Sequence, residues 1–126
     1  MTPMPDSHTT APDTNLVRAC LEAVARDQTT IDYKTLAERL SFRSPGMIRK
    51  TTTLLEAIQE EDALLKQPQL AAVVIQKSGK PYPRPGFFQT LKELDLYAGK
   101  DDGADAQMWH QNELEKVYAT YRRTTR

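Results

Sequence analysis

Two stretches of this chain concentrate the residue types that grip anions. The first, 33–50, holds Tyr33, Lys34, Arg39, Arg43, Ser44, Arg49 and Lys50, with Glu38 as its one acid and a local charge of +4. The second, 63–92, holds Lys66, Lys77, Lys80, Arg84 and Lys92 and contains no acid. Cations at this density neutralise phosphates, and arginine adds a planar fork that can read base edges. Ser44 before Pro45 has the form of a hydroxyl cap at a helix start, where free backbone N–H groups also favour phosphate. The stretch 93–115 has the opposite sign, with seven acids against Lys100. Over the whole chain 17 basic and 17 acidic residues cancel, which excludes a globally basic nucleic-acid binder. Any such role has to come from segregated charge. The alternative reading of each run is an ordinary solvated face.

A third stretch, Pro81-Tyr82-Pro83-Arg84-Pro85-Gly86-Phe87-Phe88, combines locked backbone with interface-prone side chains. Proline fixes φ, so little conformational freedom is left to lose on binding. Tyrosine and arginine are enriched at interface hot spots. Tyr82 and Arg84, with Trp109 further on, are therefore candidate partner contacts. The alternative is a stiff return whose aromatic residues pack beneath it.

Catalytic chemistry is poorly represented. Cys20 is the sole cysteine, which excludes an intramolecular disulfide and a cysteine-based zinc site. Its place on an apolar helical face suits a small core residue. His8 and His110 have no metal-ligand spacing. Glu60-Glu61-Asp62 followed by Lys77 has some of the makings of a metal-dependent nuclease, but no carboxylate lies on the strand beside the lysine. Ser78-Gly79-Lys80 lacks the glycine spacing of a phosphate loop. Neither an enzyme nor a cofactor is expected.

The elements that position these residues follow from periodicity and punctuation. Residues 1–12 are rich in proline, serine and threonine and read as a disordered tail. Leu16, Val17, Cys20, Leu21 and Val24 predict an amphipathic helix over 15–27. Asp32 caps a second helix over 33–40, and Ser44-Pro45 starts a third over 45–65. That third helix is weakened in its middle by Thr51-Thr52-Thr53. The run 70–75 predicts a buried strand and 77–80 a turn. Pro81, Pro83 and Pro85 rule out a regular central strand after it. Gly86 opens a fourth helix, 98–104 is a polar loop, and a last helix starts at Asp105. The stripe of that helix is His110, Leu114, Val117 and Tyr121, with Trp109 and Tyr118 flanking; it is also a candidate homodimer seam. The sum is a mainly α protein: a winged helix-turn-helix with a short β-hairpin wing, in one domain over 13–126 that ends in a C-terminal helical extension. No apolar run approaches the roughly 18 residues that span a bilayer. No signal pattern opens the chain, so the expected setting is the cytoplasm.

The run Thr30-Ile31-Asp32-Tyr33-Lys34-Thr35-Leu36-Ala37 resembles the second-helix entry of the O6-alkylguanine-DNA alkyltransferases and the alkyltransferase-like proteins. Tyr33, Leu36 and Ala37 match that pattern. Arg49 is similar in context to the arginine with which that family flips a base, although it sits about two residues further on. The run Leu70 to Gly79 stands where the family has its Pro-Cys-His-Arg-Val strand and Ser-Gly turn. Ala71 replaces the alkyl-accepting cysteine, and Ala72 and Val73 replace the histidine and arginine. The resemblance covers about half the chain. It implies a winged-helix DNA-binding domain without alkyl transfer. The expected function is therefore non-catalytic binding of double-stranded DNA through its backbone. Its expected contacts are Tyr33, Lys34, Arg43, Ser44, Arg49, Lys50, Lys77, Lys80 and Arg84. The alternative is a protein-interaction module: an adaptor, an inhibitor or a subunit of a larger bacterial or phage-related complex.

Overall fold

The computed structural model of the chain describes residues 12–42, 46–76 and 80–122. Arg43, Ser44, Lys77 and the expected tail as far as Ala11 lie outside them. Among the described residues the order is α1 (Pro12–Arg26), β1 (Ile31–Asp32), α2 (Tyr33–Arg39), α3 (Met47–Leu64), a 3-10 turn (Leu70–Val73), β2 (Val74–Ile75), α4 (Pro85–Glu93) and α5 (Gly103–Arg122). The protein is mainly helical with a small two-stranded sheet. No helix among the described residues is long and apolar enough to cross a membrane.

Helix α1 buries Val17, Leu21, Val24 and Ala25, one stripe at helical spacing, against α3, α5 and the 3-10 turn. It begins at Pro12, three residues earlier than the periodicity indicates. Helix α2 starts as expected: Asp32 sits in extended backbone and its carboxylate accepts from the Thr35 N–H at 2.7 Å. Asp32→Ala is expected to cost about 1 kcal/mol. A urea titration checks this, with the midpoint lowered and the slope unchanged.

Helix α3 begins at Met47, not at 45, behind Gly46 at φ +89°, a backbone geometry that strains any residue with a Cβ. Its threonines are accommodated by hydroxyl bonds to the preceding turn: Thr51 Oγ1 donates to the Met47 carbonyl at 2.8 Å and Thr52 Oγ1 to that of Arg49 at 3.0 Å.

The expected buried strand over 70–75 is extended only at its end. Leu70–Val73 winds as a 3-10 turn and only Val74 and Ile75 are extended. The reason is chemical. Leu-Ala-Ala lacks β-branching, and two carboxylates from distant helices cap the turn's leading N–H groups. Asp62 Oδ2 accepts from the Leu70 N–H at 3.0 Å and Glu113 Oε2 from the Gln69 N–H at 2.7 Å.

The expected β-hairpin wing is also corrected. β2 pairs with β1, in parallel, with Ile31 opposite Val74 and Asp32 opposite Ile75. The return over 80–84 is not a strand. It is held to Gln76 by two bonds: the Gln76 N–H donates to the Tyr82 carbonyl at 3.1 Å and Gln76 Nε2 to that of Pro83 at 3.3 Å. Prolines 81, 83 and 85 have no N–H with which to build a ladder.

Phe88 is the centre of an aromatic cluster. Its ring lies 5.1 Å from Phe87, 5.3 Å from Tyr97, 6.2 Å from Tyr82 and 6.4 Å from Trp109, centroid to centroid. The α5 stripe offered above as a dimer seam packs within the chain. His110 and Val117 are buried, and Leu114, Trp109, Tyr118 and Tyr121 pack against the core. Tyr118 Oη donates to the Thr29 carbonyl at 2.9 Å.

His110 joins α5 to the 3-10 turn, with Nε2 2.7 Å from the Ala72 carbonyl. Burial pushes its pKa below the ordinary 6.5, against the opposing pull of that bond. The unfolded chain therefore takes up a proton that the folded one resists. The His110 contribution is complete above pH 6.5 and declines as pH falls through 6.5 toward the folded value. Asp62 works in the opposite sense, since burial raises its pKa and favours the protonated folded form in acid. The His110 contribution is isolated by subtracting the stability–pH profile of His110→Gln from that of the parent. The difference is expected to shrink below pH 6.5.

Candidate functional site

One stripe of α3 forms a wall. Ile48, Thr52, Leu55 and Gln59 follow at spacings of four, three and four, and Arg49 and Glu56 stand beside them on the same side. Opposite is the segment that opens α4: Arg84, Pro85, Gly86 and Phe87. Tyr33 closes one end and Ala71 contributes to the floor. Together these residues enclose a half-open cleft of about 470 Å³.

The cleft is built by the locked backbone of the proline return. Pro85 is at the first turn of α4, where a missing N–H costs nothing, and Arg84 is the residue before it, in extended backbone. The Arg84 N–H donates to Tyr33 Oη at 3.0 Å, and its guanidinium lies over the Tyr33 ring, 5.5 Å from the centroid. Burial pushes the Tyr33 hydroxyl up to about 12, against the lowering effect of Arg84. It is therefore a neutral hydroxyl at any physiological pH. Tyr33 is buried and acts first as the post on which Arg84 is hung.

The floor is fixed by a chain of buried amides. Gln59 Nε2 donates to the Phe87 carbonyl at 3.1 Å, and Gln69 Nε2 donates to the Gln59 carbonyl at 3.1 Å. The adjoining turn is held by Asp62, which faces Arg18 at 3.1 Å. Arg18 also donates to Glu61 at 2.7 Å. Glu61 and Asp62 thus serve a structural network that joins α1, α3 and the turn. Among the described residues no three histidine, cysteine or acidic side chains are grouped to hold a metal ion.

Of the expected nucleic-acid contacts, Tyr33, Arg49 and Arg84 come together at this cleft. Lys34 and Lys50 are exposed chain neighbours of Tyr33 and Arg49, and Lys50 Nζ sits 4.6 Å above the Phe42 ring. Lys80 is exposed at the head of the return. Arg43, Ser44 and Lys77 lie outside the described residues. Neither Arg49 nor Arg84 has a carboxylate partner among the described residues, whereas Arg18, Lys92 and Lys116 are ion-paired.

The partner-contact group divides. Arg84 is exposed. Tyr82 is only 5 % exposed, which corrects the expectation that it projects outward. Its ring stacks edge-on to Phe88 and its hydroxyl accepts from the Gly103 N–H at 2.9 Å. Trp109 lines a different, shallower depression with Leu96, Tyr97 and Met108. Thr52, Glu56, Gln59 and Phe87 were not singled out from sequence. Gln59 carries no signal by type, since a glutamine on a helix reads as surface. Cys20 is half-buried and packed against the core, as its helical face suggested.

Comparison with protein-family models, with curated proteins and with solved structures returns no match.

Proposed function

We infer that the protein binds double-stranded nucleic acid, most directly DNA, without acting on it chemically. The observation that carries this reading is the meeting of Arg49 and Arg84 across one cleft, both without a carboxylate partner among the described residues. Lys34 and Lys80 are exposed on the flanking segments and extend the cationic surface. In this reading α2 and α3 act as the two helices of a winged helix-turn-helix, with the proline return in the place of the wing. Arg84 and the lysines take phosphates, while Arg49, on the first turn of α3, enters a groove. Ala71 at the cleft floor offers a methyl group and no nucleophile, which fits binding without group transfer.

With about four to five phosphates neutralised, log affinity for a short duplex should fall against log salt with a slope of about −4. A fluorescence-anisotropy titration over several salt concentrations measures it. A flat salt profile, or no binding at low salt, would remove the reading.

A protein partner is the second reading, favoured by a separate observation. Met108 is 66 % and Leu96 41 % exposed, and both line the depression beside Trp109. Affinity capture with and without nuclease distinguishes the two, since a protein partner survives nuclease treatment.

A further inference from the structure

The cleft holds more space than two guanidinium groups need to grip a phosphate backbone. Its volume of about 470 Å³ is that of a small-molecule site. Its inner end carries an acceptor that no described residue engages. Gln59 is 1 % exposed and lines the cleft. Its Nε2 is committed to the Phe87 carbonyl, and Oε1 has no donor among the described residues.

Three kinds of surface therefore follow one another along the cleft. Gln59 Oε1 accepts at the inner end. Ile48, Leu55, Ala71 and Phe87 supply an apolar middle. Arg49 and Arg84 stand at the outer end, with Glu56 offsetting part of their charge. Arg49 and Gln59 are ten residues apart on α3, about 15 Å along the axis.

We propose that this cleft is a binding site for a small organic anion with a flat apolar body, an N–H or O–H donor for Gln59 Oε1, and a carboxylate or phosphate for Arg49 and Arg84. The site is independent of the nucleic-acid reading, because it needs neither Lys34 nor Lys80 and no duplex. Occupancy by such an anion takes up the same two arginines.

The test is amide NMR on the full chain, in the absence of DNA, with three probes at millimolar concentration. Indole-3-acetate has body, donor and acid. 1-Naphthaleneacetate lacks the donor, and 3-methylindole lacks the acid. Indole-3-acetate is expected to shift the backbone amides of Arg84, Gly86 and Phe87 and the side-chain amide of Gln59. The two incomplete probes are expected to bind about tenfold more weakly. Arg84→Gln should weaken indole-3-acetate about tenfold and leave 3-methylindole unaffected. Because Gln59→Met also removes the bond to Phe87, the donor requirement is read from the probe series on the parent protein. The proposal is overturned if none of the probes moves the cleft amides, if all three bind equally, or if the shifts lie elsewhere. Loss of DNA binding in other experiments leaves it untouched, and its failure leaves the DNA reading standing.

Discussion

The double variant Arg49→Glu/Arg84→Glu is expected to lose at least about 100-fold in affinity for duplex DNA at low salt. A hydrogen bond to a charged group contributes about 1.5–3 kcal/mol, and two are removed. In the nucleic-acid reading the reversed charges would also repel phosphates. The fold should survive, for a specific reason. Both side chains are exposed, and the bond that ties the return to α2 uses the Arg84 backbone N–H, which the substitution leaves in place. The main structural loss is the stacking of the guanidinium on Tyr33, about 0.5–1 kcal/mol at an exposed site. Gel retardation reports the affinity and circular dichroism the fold. Undiminished retention with an intact fold would remove the cleft from the nucleic-acid surface. Arg49→Glu/Lys50→Glu, by contrast, should spare capture of a protein partner if the second reading holds.

Phe88→Ala is expected to be the most destabilising single change, at about 3–5 kcal/mol. The ring is fully buried and has four aromatic neighbours, so the vacated space is lined by rigid rings that cannot easily collapse into it. Against a total stability of about 5–15 kcal/mol for a domain of this size, that loss is roughly a fifth or more. Chemical denaturation measures it, and Phe88→Leu, which fills part of the space, should recover part of it. A loss below about 1 kcal/mol for Phe88→Ala would show that the cluster does not support the fold.

What could be read in the sequence was local. Asp32 capped α2 where its type and position indicated, because a carboxylate three residues ahead of a free N–H needs no distant partner. The stripe Val17, Leu21 and Val24 gave α1 because helical period is written in the chain. The errors were non-local. The backbone at 70–73 winds under the influence of Asp62 and Glu113, and Glu113 is 44 residues from its partner Gln69. The pairing of β2 with β1 brings together residues 43 apart, and a valine and an isoleucine say nothing about which strand they will meet. At the cleft, the charged residues Arg49 and Arg84 announced themselves by type. Gln59 did not, since a glutamine on a helix looks like surface until the opposite wall is known. Tyr82 misled for a related reason: a tyrosine between prolines looks available, yet its hydroxyl found the Gly103 N–H 21 residues away.

The clamp on the 3-10 turn has a consequence for the order of events during synthesis. Two α5 side chains hold that turn, Glu113 at Gln69 and His110 at Ala72, and Tyr82 waits for Gly103. A nascent chain that has delivered everything up to residue 102 possesses all the arginines of the cleft but not the means to seat its base. Completion of the cleft is therefore expected late, once α5 has cleared the ribosome.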